Sequence, residues 1–353
     1  MKPVILISDL HGTLDALLLP LEKEGAIEWH RNGGRKYPLW TASDEKPWLV
    51  FVAGDITNRT RSDNAPTDAN ELAFEELLIV IVIFYLNNVV EGGKIEVTLG
   101  NHELNNFLAL RTSASILAHK CYASYYENTD GRSPRTILFT KVNNFKFEEK
   151  CEIAKRLVEE GVWPRKRLFF RDFYGGKKVR YDCIKTHRLE DNRLLVVFHA
   201  GPATKRLRDE MNKDVEKFAI KMNRLSNKMV RTFKFNEDVN EIVTSREWAG
   251  VLDKHFCSQL PSGTIFVLGH TTPAKNKEKT CDNHVLRIDL GSNRYSQKQC
   301  NIKLPCEFVI RYVTLQAEKV KTRTAKGSLL KSKYDGRFGS HYLCSFEATA
   351  ALI

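Results

Sequence analysis

Residues that can bind metals follow apolar, strand-like runs at five points of this chain. The five motifs are Asp9-Leu10-His11, Gly54-Asp55, Gly100-Asn101-His102-Glu103, His199 and Gly269-His270. In α/β proteins ligands bind at the carboxyl ends of strands, so residues that follow strands are expected to meet there. Carboxylate and imidazole groups suit borderline divalent metals, and one carboxylate can bridge two ions roughly 3.5–4 Å apart. The sequence therefore predicts a site for two metal ions.

The alternation of apolar runs and helical patterns predicts an α/β fold. The pattern predicts helices over 14–24 and about 68–90, and it predicts a polar, glycine-containing segment over 29–46. Further strands at 285–290 and 308–315 are expected to close a second sheet. The strands that precede the motifs are predicted at Val4–Ser8, Trp48–Ala53, Lys94–Leu99, Arg193–Phe198 and Thr264–Leu268.

Composition suggests one catalytic domain with two insertions and a tail. We assign residues 1–316 to the domain, with a mixed helical cap or insertion over 104–190 and a basic helical insertion over 203–262. Residues 317–338 are basic and poor in large apolar side chains, which predicts a surface or flexible segment. We assign 317–353 to a basic C-terminal tail.

The formal net charge of +12 favours anionic substrates or polyanionic partners, either nucleic acid or acidic protein. For the basic stretch 205–234, a solvated helical face is the default explanation, ahead of a docking surface. The longest apolar run, Leu77 to Leu86, is about half of the ~20 residues that span a bilayer, so no membrane partner is expected. The N-terminus lacks a signal-peptide pattern, and the cysteines form no CxxC pair, which together predict reduced thiols and a cytoplasmic location. The eight cysteines are Cys121, Cys151, Cys183, Cys257, Cys281, Cys300, Cys306 and Cys344.

The ordered motifs resemble those of the calcineurin-like metallophosphoesterases, and within them the serine/threonine phosphoprotein phosphatase branch. That branch reads GDxHG, GDxxDRG, GNHE, a histidine in HxG and a last histidine. The segment before Asp55 is similar to Shewanella-like phosphatases and diadenosine tetraphosphatases. The resemblance implies a two-layer β-sandwich flanked by helices, an α/β/β/α arrangement. The matching segments are 8–12, 54–60, 100–103, 199–201 and 269–271.

The resemblance also implies a role for each matching residue. One metal would be bound by Asp9, His11 and Asp55, and Asp55 would bridge to a second metal. The ions would be two divalent metals, such as Mn, Fe or Zn. The second metal would be bound by Asn101, His199 and His270.

Four further residues are implied to act on the substrate. His102 would be the acid that protonates the leaving oxygen, and Arg59 would bind phosphate oxygens. Arg246 resembles a second phosphate-binding arginine, although a salt bridge with Glu247 or Asp253 explains it equally well. Asn58 stands where the family has an aspartate that orients the catalytic histidine, so its hydrogen bond would carry no charge and turnover would be lower.

The function implied is dinuclear-metal phosphoester hydrolysis, with phosphoserine or phosphothreonine in a protein as the substrate. Hydrolysis of dinucleoside polyphosphates is the alternative within the enzymes, because those relatives share almost every motif. A weakly active phosphatase-fold binding protein is favoured only by Asn58. A nuclease is disfavoured because Gly269-His270-Thr271 lacks the second histidine of the nuclease motif GHxH.

Overall fold

The structure is a computed structural model of the chain. It describes residues 2–11, 14–32, 35–41, 47–56, 79, 82–83, 86–87, 91–104, 181–232, 234–249, 254–273, 279–282, 284–289, 306–316 and 319–329. Most of the predicted insertion 104–190 and the stretch with Asn58 and Arg59 lie outside the described residues.

Twelve strands are found in these ranges, and they are numbered in chain order. They are β1 Val4–Ile7, β2 Ile27–Asn32, β3 Arg35–Trp40, β4 Trp48–Val52, β5 Gly93–Val97, β6 Ile184–Arg188, β7 Leu194–Phe198, β8 Thr264–Leu268, β9 Lys279–Thr280, β10 Val285–Arg287, β11 Cys306–Gln316 and β12 Lys319–Leu329. The helices with defined bounds are α1 Leu14–Lys23, α2 Lys205–Lys213, α3 Val215–Thr232, α4 Glu237–Thr244 and α5 Lys254–Ser258, and a 3₁₀ turn spans Glu247–Ala249.

Two five-stranded mixed sheets form the centre of the fold. The first has the order β12-β11-β1-β4-β5, and the second has the order β6-β7-β8-β10-β9. In the first sheet β1, β4 and β5 are parallel, and in the second β7, β8 and β10 are parallel. Each sheet therefore gathers three carboxyl strand ends along one edge, where the five motifs begin.

The two sheets pack face to face through a buried apolar layer. On the first sheet this layer includes Leu6 and Phe51, and on the second it includes Val197, Val267 and Ile288. A larger cluster covers the outer faces, where Leu17 of α1 packs with the β1 side chains. Side chains of adjacent strand residues point to opposite faces, so each apolar strand contributes to both layers. The predicted α/β fold, a β-sandwich flanked by helices, is confirmed.

The predicted tail is wrong for residues 319–329. They form β12, which pairs with β11 in antiparallel register from Gln316↔Lys319 to Cys306↔Leu329. The strand carries Lys319, Lys321 and Arg323 on exposed positions, so its composition resembles that of a solvated tail. Pairing with a neighbouring strand, which a composition argument does not detect, decides its structure.

Strand β11 lies in the first sheet, whereas the sequence analysis placed it in the second. It pairs with β1 through Val4↔Leu315 and Leu6↔Val313. Both Val313 and Leu315 face the layer between the sheets. That apolar pattern would be the same on either sheet, so the sequence could not decide between them. Strand β10 does lie in the second sheet, as predicted.

The helices of 203–262, predicted as a basic helical insertion, connect two parallel neighbours, β7 and β8. Parallel strands need a crossover connection of about a dozen residues or more, and α2 to α5 supply it. The insertion predicted over 104–190 ends too late, because β6 at Ile184–Arg188 is part of the second sheet. The polar segment 29–46, for which the sequence predicted no secondary structure, contains most of a hairpin that β2 and β3 form.

A disulfide joins Cys257 to Cys281, with their Cα atoms 5.1 Å apart. The prediction of reduced thiols is wrong for this pair. Helix α5 and the turn after β9 carry the two cysteines, and the β8–β10 pairing brings them together across 24 residues. Cys183 is a buried free thiol, and burial raises its pKa to about 12. The thiol argument for a cytoplasmic location therefore fails at Cys257 and Cys281.

Within the described ranges, no helix is both long enough and apolar enough to cross a membrane.

Candidate metal centre at the carboxyl edge of the two sheets

Seven predicted side chains meet where the two sheets present their carboxyl strand ends. Asp9 and His11 follow β1, Asp55 follows β4, and the segment 101–102 follows β5. The second sheet contributes His199 after β7 and His270 after β8. The group is almost closed to solvent, since Asp9, His11, Asp55, His199 and His270 are all buried. The seven side chains are Asp9, His11, Asp55, Asn101, His102, His199 and His270.

One oxygen, Asp55 Oδ2, lies at the centre of the group. It is 3.8 Å from His11 Nε2, 3.7 Å from His102 Nε2 and 3.2 Å from His199 Nε2. The other carboxylate oxygen, Oδ1, accepts a hydrogen bond from the backbone N–H of His102 at 3.0 Å. Asp55 therefore shares one oxygen among three imidazoles while the other is fixed by the backbone.

Two overlapping groups of donor atoms have the separations that metal ligands require. Ligands of one ion lie no more than about 4.2 Å apart, since each metal–ligand bond is about 2.1 Å long. On one side of Asp55, His11 Nε2 is 3.7 Å from Asp9 Oδ1. On the other side, His199 Nε2 is 2.9 Å from Asn101 Oδ1 and 3.1 Å from His270 Nδ1. Asp55 belongs to two candidate groups of metal ligands, one with His11 and His102 and the other with His199 and His270.

An orphaned buried atom supports the fit of a cation. Asp9 Oδ1 is buried and accepts no hydrogen bond from any described residue. Its partner oxygen, Oδ2, accepts hydrogen bonds from Ser8 Oγ and from the backbone N–H of His270, the second at 3.0 Å. A buried carboxylate oxygen without a donor is costly unless a cation compensates it. The donor set and this atom therefore fit a divalent metal.

Hydrogen bonds to the backbone orient the two histidines of the second sheet. His199 Nδ1 donates to Ala53 O at 2.7 Å, which leaves Nε2 directed at Asp55 and Asn101. His270 Nε2 donates to Thr244 O at 3.0 Å, which directs Nδ1 toward His199. A ligating histidine usually donates its other ring N–H in this way, because the bond fixes the tautomer and the ring plane.

Four of these residues have left-handed backbones, which non-glycine residues seldom adopt. The φ angles are 52° at Asp9, 42° at His11, 51° at Asp55 and 62° at His270. Each costs on the order of 1–2 kcal/mol. Surrounding hydrogen bonds hold them in place, including His11 N–H to Asp55 O at 2.8 Å. Such strain collects at functional sites, where the geometry of the side chain matters more than local stability.

The buried charges in the group control one another. Burial raises the pKa of Asp9, although the neighbouring His199 acts in the opposite direction. Burial also acts to raise the pKa of Asp55, but His199, His102 and His11 outweigh it and hold that pKa well below its ordinary value. Burial disfavours charge on His199, yet the Asp55 carboxylate raises the pKa of His199 to about 10. Because imidazole binds metal in its neutral form, a metal here would displace the His199 proton.

Glu103 supports the site, although the sequence analysis gave it no role. Its buried Oε2 accepts hydrogen bonds from the backbone N–H groups of Asp55, at 2.9 Å, and Gly100, at 3.1 Å. A Cβ atom on Gly100 would lie 2.3 Å from Asp55 N and 2.7 Å from this oxygen, so only glycine allows the approach. The position of Glu103 directly after the predicted residues was the signal that could have found it.

The three remaining predicted residues, Asn58, Arg59 and Arg246, have different outcomes. Asn58 and Arg59 lie outside the described residues. Arg246 is exposed and lies two residues after Thr244 in the chain. The carbonyl of Thr244 accepts a hydrogen bond from His270 Nε2. Glu247, the salt-bridge partner considered for Arg246, instead lies 3.7 Å from Arg208. The residue two positions before Arg246 therefore contacts the centre through its backbone.

The fold and this centre together define an α/β protein with a candidate dinuclear metal site between two sheets. Residues 2–303 match the family of calcineurin-like phosphoesterases, so the chain belongs to that family. The family typically binds two divalent metals. No curated protein matches the chain significantly.

Proposed function

We propose that this protein is a dinuclear-metal phosphoester hydrolase of the serine/threonine protein phosphatase type. The observation that supports it most is the sharing of Asp55 Oδ2 between two groups of ligand atoms. In the proposed site Asp9, His11 and Asp55 bind one ion, and Asp55, Asn101, His199 and His270 bind the other. Two divalent ions bound there would activate water for attack on phosphorus and stabilise charge on the phosphate oxygens.

His102 is proposed to supply the proton for the leaving group. Its side chain is partly exposed, unlike the buried histidines beside it, so a substrate oxygen can approach its ring. In the proposed step a bond from water oxygen to phosphorus forms and the bond from phosphorus to the serine or threonine oxygen breaks. His102 gives its proton to that oxygen, and the proton released by water passes to solvent. Arg59 and Arg246 are proposed to bind the phosphate oxygens, and Asn58 to orient His102.

The separation of ligand atoms alone also admits His102 as a metal ligand. Its Nε2 belongs to a group with His11 and Asp55 whose donor atoms lie within 4.8 Å of one another. The two roles differ in what the loss of His102 would remove. A ligand's loss releases metal, whereas an acid's loss leaves metal bound and slows reactions with poor leaving groups.

A substrate panel tests the proposed activity. Purified protein with Mn²⁺ is assayed on p-nitrophenyl phosphate, phosphoserine and phosphothreonine peptides, diadenosine tetraphosphate and single-stranded RNA. Preferential hydrolysis of the phosphopeptides supports the proposal. Preference for diadenosine tetraphosphate would assign the alternative, a dinucleoside polyphosphate hydrolase. Cleavage of RNA alone would assign a nuclease, and inactivity with two bound metals would assign a binding protein.

Replacing the shared carboxylate tests the metal site. Asp55→Asn keeps the side-chain shape but removes the charge that serves both ions, so most bound metal and nearly all activity should be lost. Elemental analysis of the purified variant measures the metal content, and Asp209→Asn, at an exposed position of α2, is the matched control. Two metals per chain in Asp55→Asn would refute the assignment of the bridge.

A partner that is an acidic protein or a nucleic acid remains a proposal. Part of the positive charge of the basic helices is already paired, because Lys205, Lys217 and Lys221 lie within 2.6–2.9 Å of acidic oxygens. These short pairs favour a solvated face over a docking surface. The exposed cations of β12, which include Lys319 and Lys321, are the better place for such a partner. A cytoplasmic location likewise stays a prediction.

A further inference from the structure

The last turn of α4 contacts both segments that carry the histidines of the second sheet. Ile242 O accepts hydrogen bonds from the backbone N–H groups of Ala200, at 3.1 Å, and Gly201, at 2.8 Å. Two residues later, Thr244 O accepts from His270 Nε2 at 3.0 Å. The last carbonyls of a helix have no partner within the helix. Here these carbonyls fix the segment after His199 and the ring of His270.

The side chain of Glu241 in the same turn fixes the remainder of the loop that follows His199. Its Oε1 accepts from the backbone N–H of Ala203 at 2.8 Å and from that of Thr204 at 2.6 Å. Hydrogen bonds to a carboxylate are roughly twice as strong as those between neutral groups. Thr204 is the N-cap of α2, where a negative charge is also favoured by the helix dipole. The loop 200–204 is therefore attached to α4 at both of its ends.

The middle of this loop has little freedom to move. Gly201 has a φ of +101°, and a Cβ there would lie 3.1 Å from Leu268 and 3.3 Å from Trp248. The Trp248 indole N–H donates to Pro202 O, and its ring is buried against Phe198. The anchors at α4 therefore hold the loop that follows His199, in addition to the bond from the His199 ring to Ala53 O.

We propose that Glu241 is a positioning residue for the second metal. It ties the loop after His199 to the helix whose last carbonyl orients His270. The two ring nitrogens are thereby held 3.1 Å apart before an ion binds. Asp9 and His11 are fixed by contacts with Ser8, Asp55, the backbone of 54–55 and the backbone N–H of His270. The Glu241 carboxylate takes no part in these contacts. Loss of the Glu241 carboxylate should therefore weaken one metal site and spare the other.

The inference rests on the proposed function only in treating the His199 group as a metal site. Its test measures metal binding, so it does not depend on which phosphoester is cleaved. If the protein binds two ions but hydrolyses no phosphoester, the proposed function fails and the role of Glu241 stands. If the wild-type protein binds fewer than two ions, both fail together.

The experiment titrates the full-length, metal-free protein with Mn²⁺. Calorimetry gives the two affinities, and electron paramagnetic resonance separates the signal of a lone ion from that of a coupled pair. Glu241→Ala should keep the first affinity and lose about 10–100-fold in the second, as is typical when a group that supports a ligand is removed. Its spectrum at one to two equivalents should show more lone Mn²⁺ than the wild type.

Two further variants complete the design. Glu241→Gln keeps an oxygen that can accept the N–H groups of Ala203 and Thr204, so it should retain most of the second Mn²⁺ affinity. If Glu241→Ala does not fold, Glu241→Gln tests the proposal in its place. Glu237→Ala removes an exposed acid from the first turn of the same helix, and it should bind both ions like the wild type. Equal weakening of both ions in Glu241→Ala, or no weakening of either, would overturn the proposal. A fall of the second affinity in Glu241→Gln as large as in Glu241→Ala would overturn it as well, because the hydrogen-bond acceptor would then be irrelevant.

Discussion

The buried carboxylate of Glu103 should contribute strongly to stability in the metal-free protein. It accepts the N–H groups of Asp55 and Gly100 through one oxygen and is fully closed to solvent. Glu103→Ala leaves two buried donors without this acceptor, at about 1–3 kcal/mol each. The expected loss in the free energy of unfolding is therefore about 2–6 kcal/mol. That is a large part of the roughly 5–15 kcal/mol by which a typical domain is stable.

Glu103→Gln should cost less than the alanine variant. The amide oxygen can accept both N–H groups, and only the charge is lost. A hydrogen bond to a charged group contributes about 1.5–3 kcal/mol and a neutral one about 0.5–1.5 kcal/mol. Two such bonds therefore predict a loss of about 2–3 kcal/mol for glutamine.

Urea unfolding of metal-free protein, followed by circular dichroism, measures these losses. Glu22→Gln on the exposed face of α1 is the control and should change stability by less than about 0.5 kcal/mol. If Glu103→Gln and Glu103→Ala lose the same amount, the hydrogen-bond argument is refuted, because the acceptor would then make no difference. If neither loses more than the control, the carboxylate has no structural role at this place.

Two further predictions concern His102 and Glu96. His102→Asn should retain both metals by elemental analysis and lose turnover roughly 10²–10⁴-fold on alkyl phosphoesters, with a smaller loss on p-nitrophenyl phosphate; loss of metal would instead make it a ligand. Glu96 on β5 pairs with Lys185 on β6 at 3.0 Å, across the two sheets. Burial acts to raise the pKa of Glu96, but Lys185 and Lys94 outweigh it and hold that pKa below its ordinary value. The Glu96 carboxylate therefore binds its proton more tightly in the unfolded chain than in the folded protein. The stability that the Glu96–Lys185 pair contributes is thus present above about pH 4.5 and is lost as the pH falls further. Urea unfolding at pH 7 should show Glu96→Gln less stable by about 1.5–3 kcal/mol, and the difference should shrink at pH 4; a difference independent of pH would contradict the pairing.

The sequence predicted the strands that carry the site to within one or two residues. Strand β8 has the bounds that the sequence predicted, and β7 begins one residue later than predicted, at Leu194. Strands β7 and β8 are short, almost continuous apolar runs that end at polar motifs, and a parallel strand buried on both faces has this pattern. Since the motifs follow the runs directly, the meeting of their side chains at one edge was predictable too.

The strands that were missed lack this pattern. Strands β2 and β3 carry Trp29, His30 and Tyr37 among charged residues. The sequence feature that could have indicated them is the Gly33-Gly34 pair between two runs of six residues. Such a pair is typical of a two-residue hairpin turn. Strand β12 carries no comparable signal, because its register with β11 is set by a neighbour.

The supporting contacts of the site could not be read from the sequence for a physical reason. A metal ligand must be one of a few residue types, so its identity marks it. The groups that hold the ligands in place include backbone atoms, such as Thr244 O beside His270, and any residue has these. Glu241 and Glu103 are ordinary glutamates whose role depends on which N–H groups the fold brings to them.

Glu103 and Glu241 support different halves of the metal centre. Glu103 contacts the half on the first sheet, and Glu241 contacts the half on the second sheet. On the first sheet the backbone is left-handed at Asp9, His11 and Asp55. The Glu103 carboxylate accepts a hydrogen bond from the backbone N–H of Asp55. On the second sheet the equivalent fixation comes from α4, a crossover helix that neither sheet contains. Both halves thus begin at neighbouring strand ends of one sheet, but the second also depends on the docking of a separate element. Since docked elements open at lower free energy than central strands, the His199 and His270 half is the part of the centre whose geometry varies more readily.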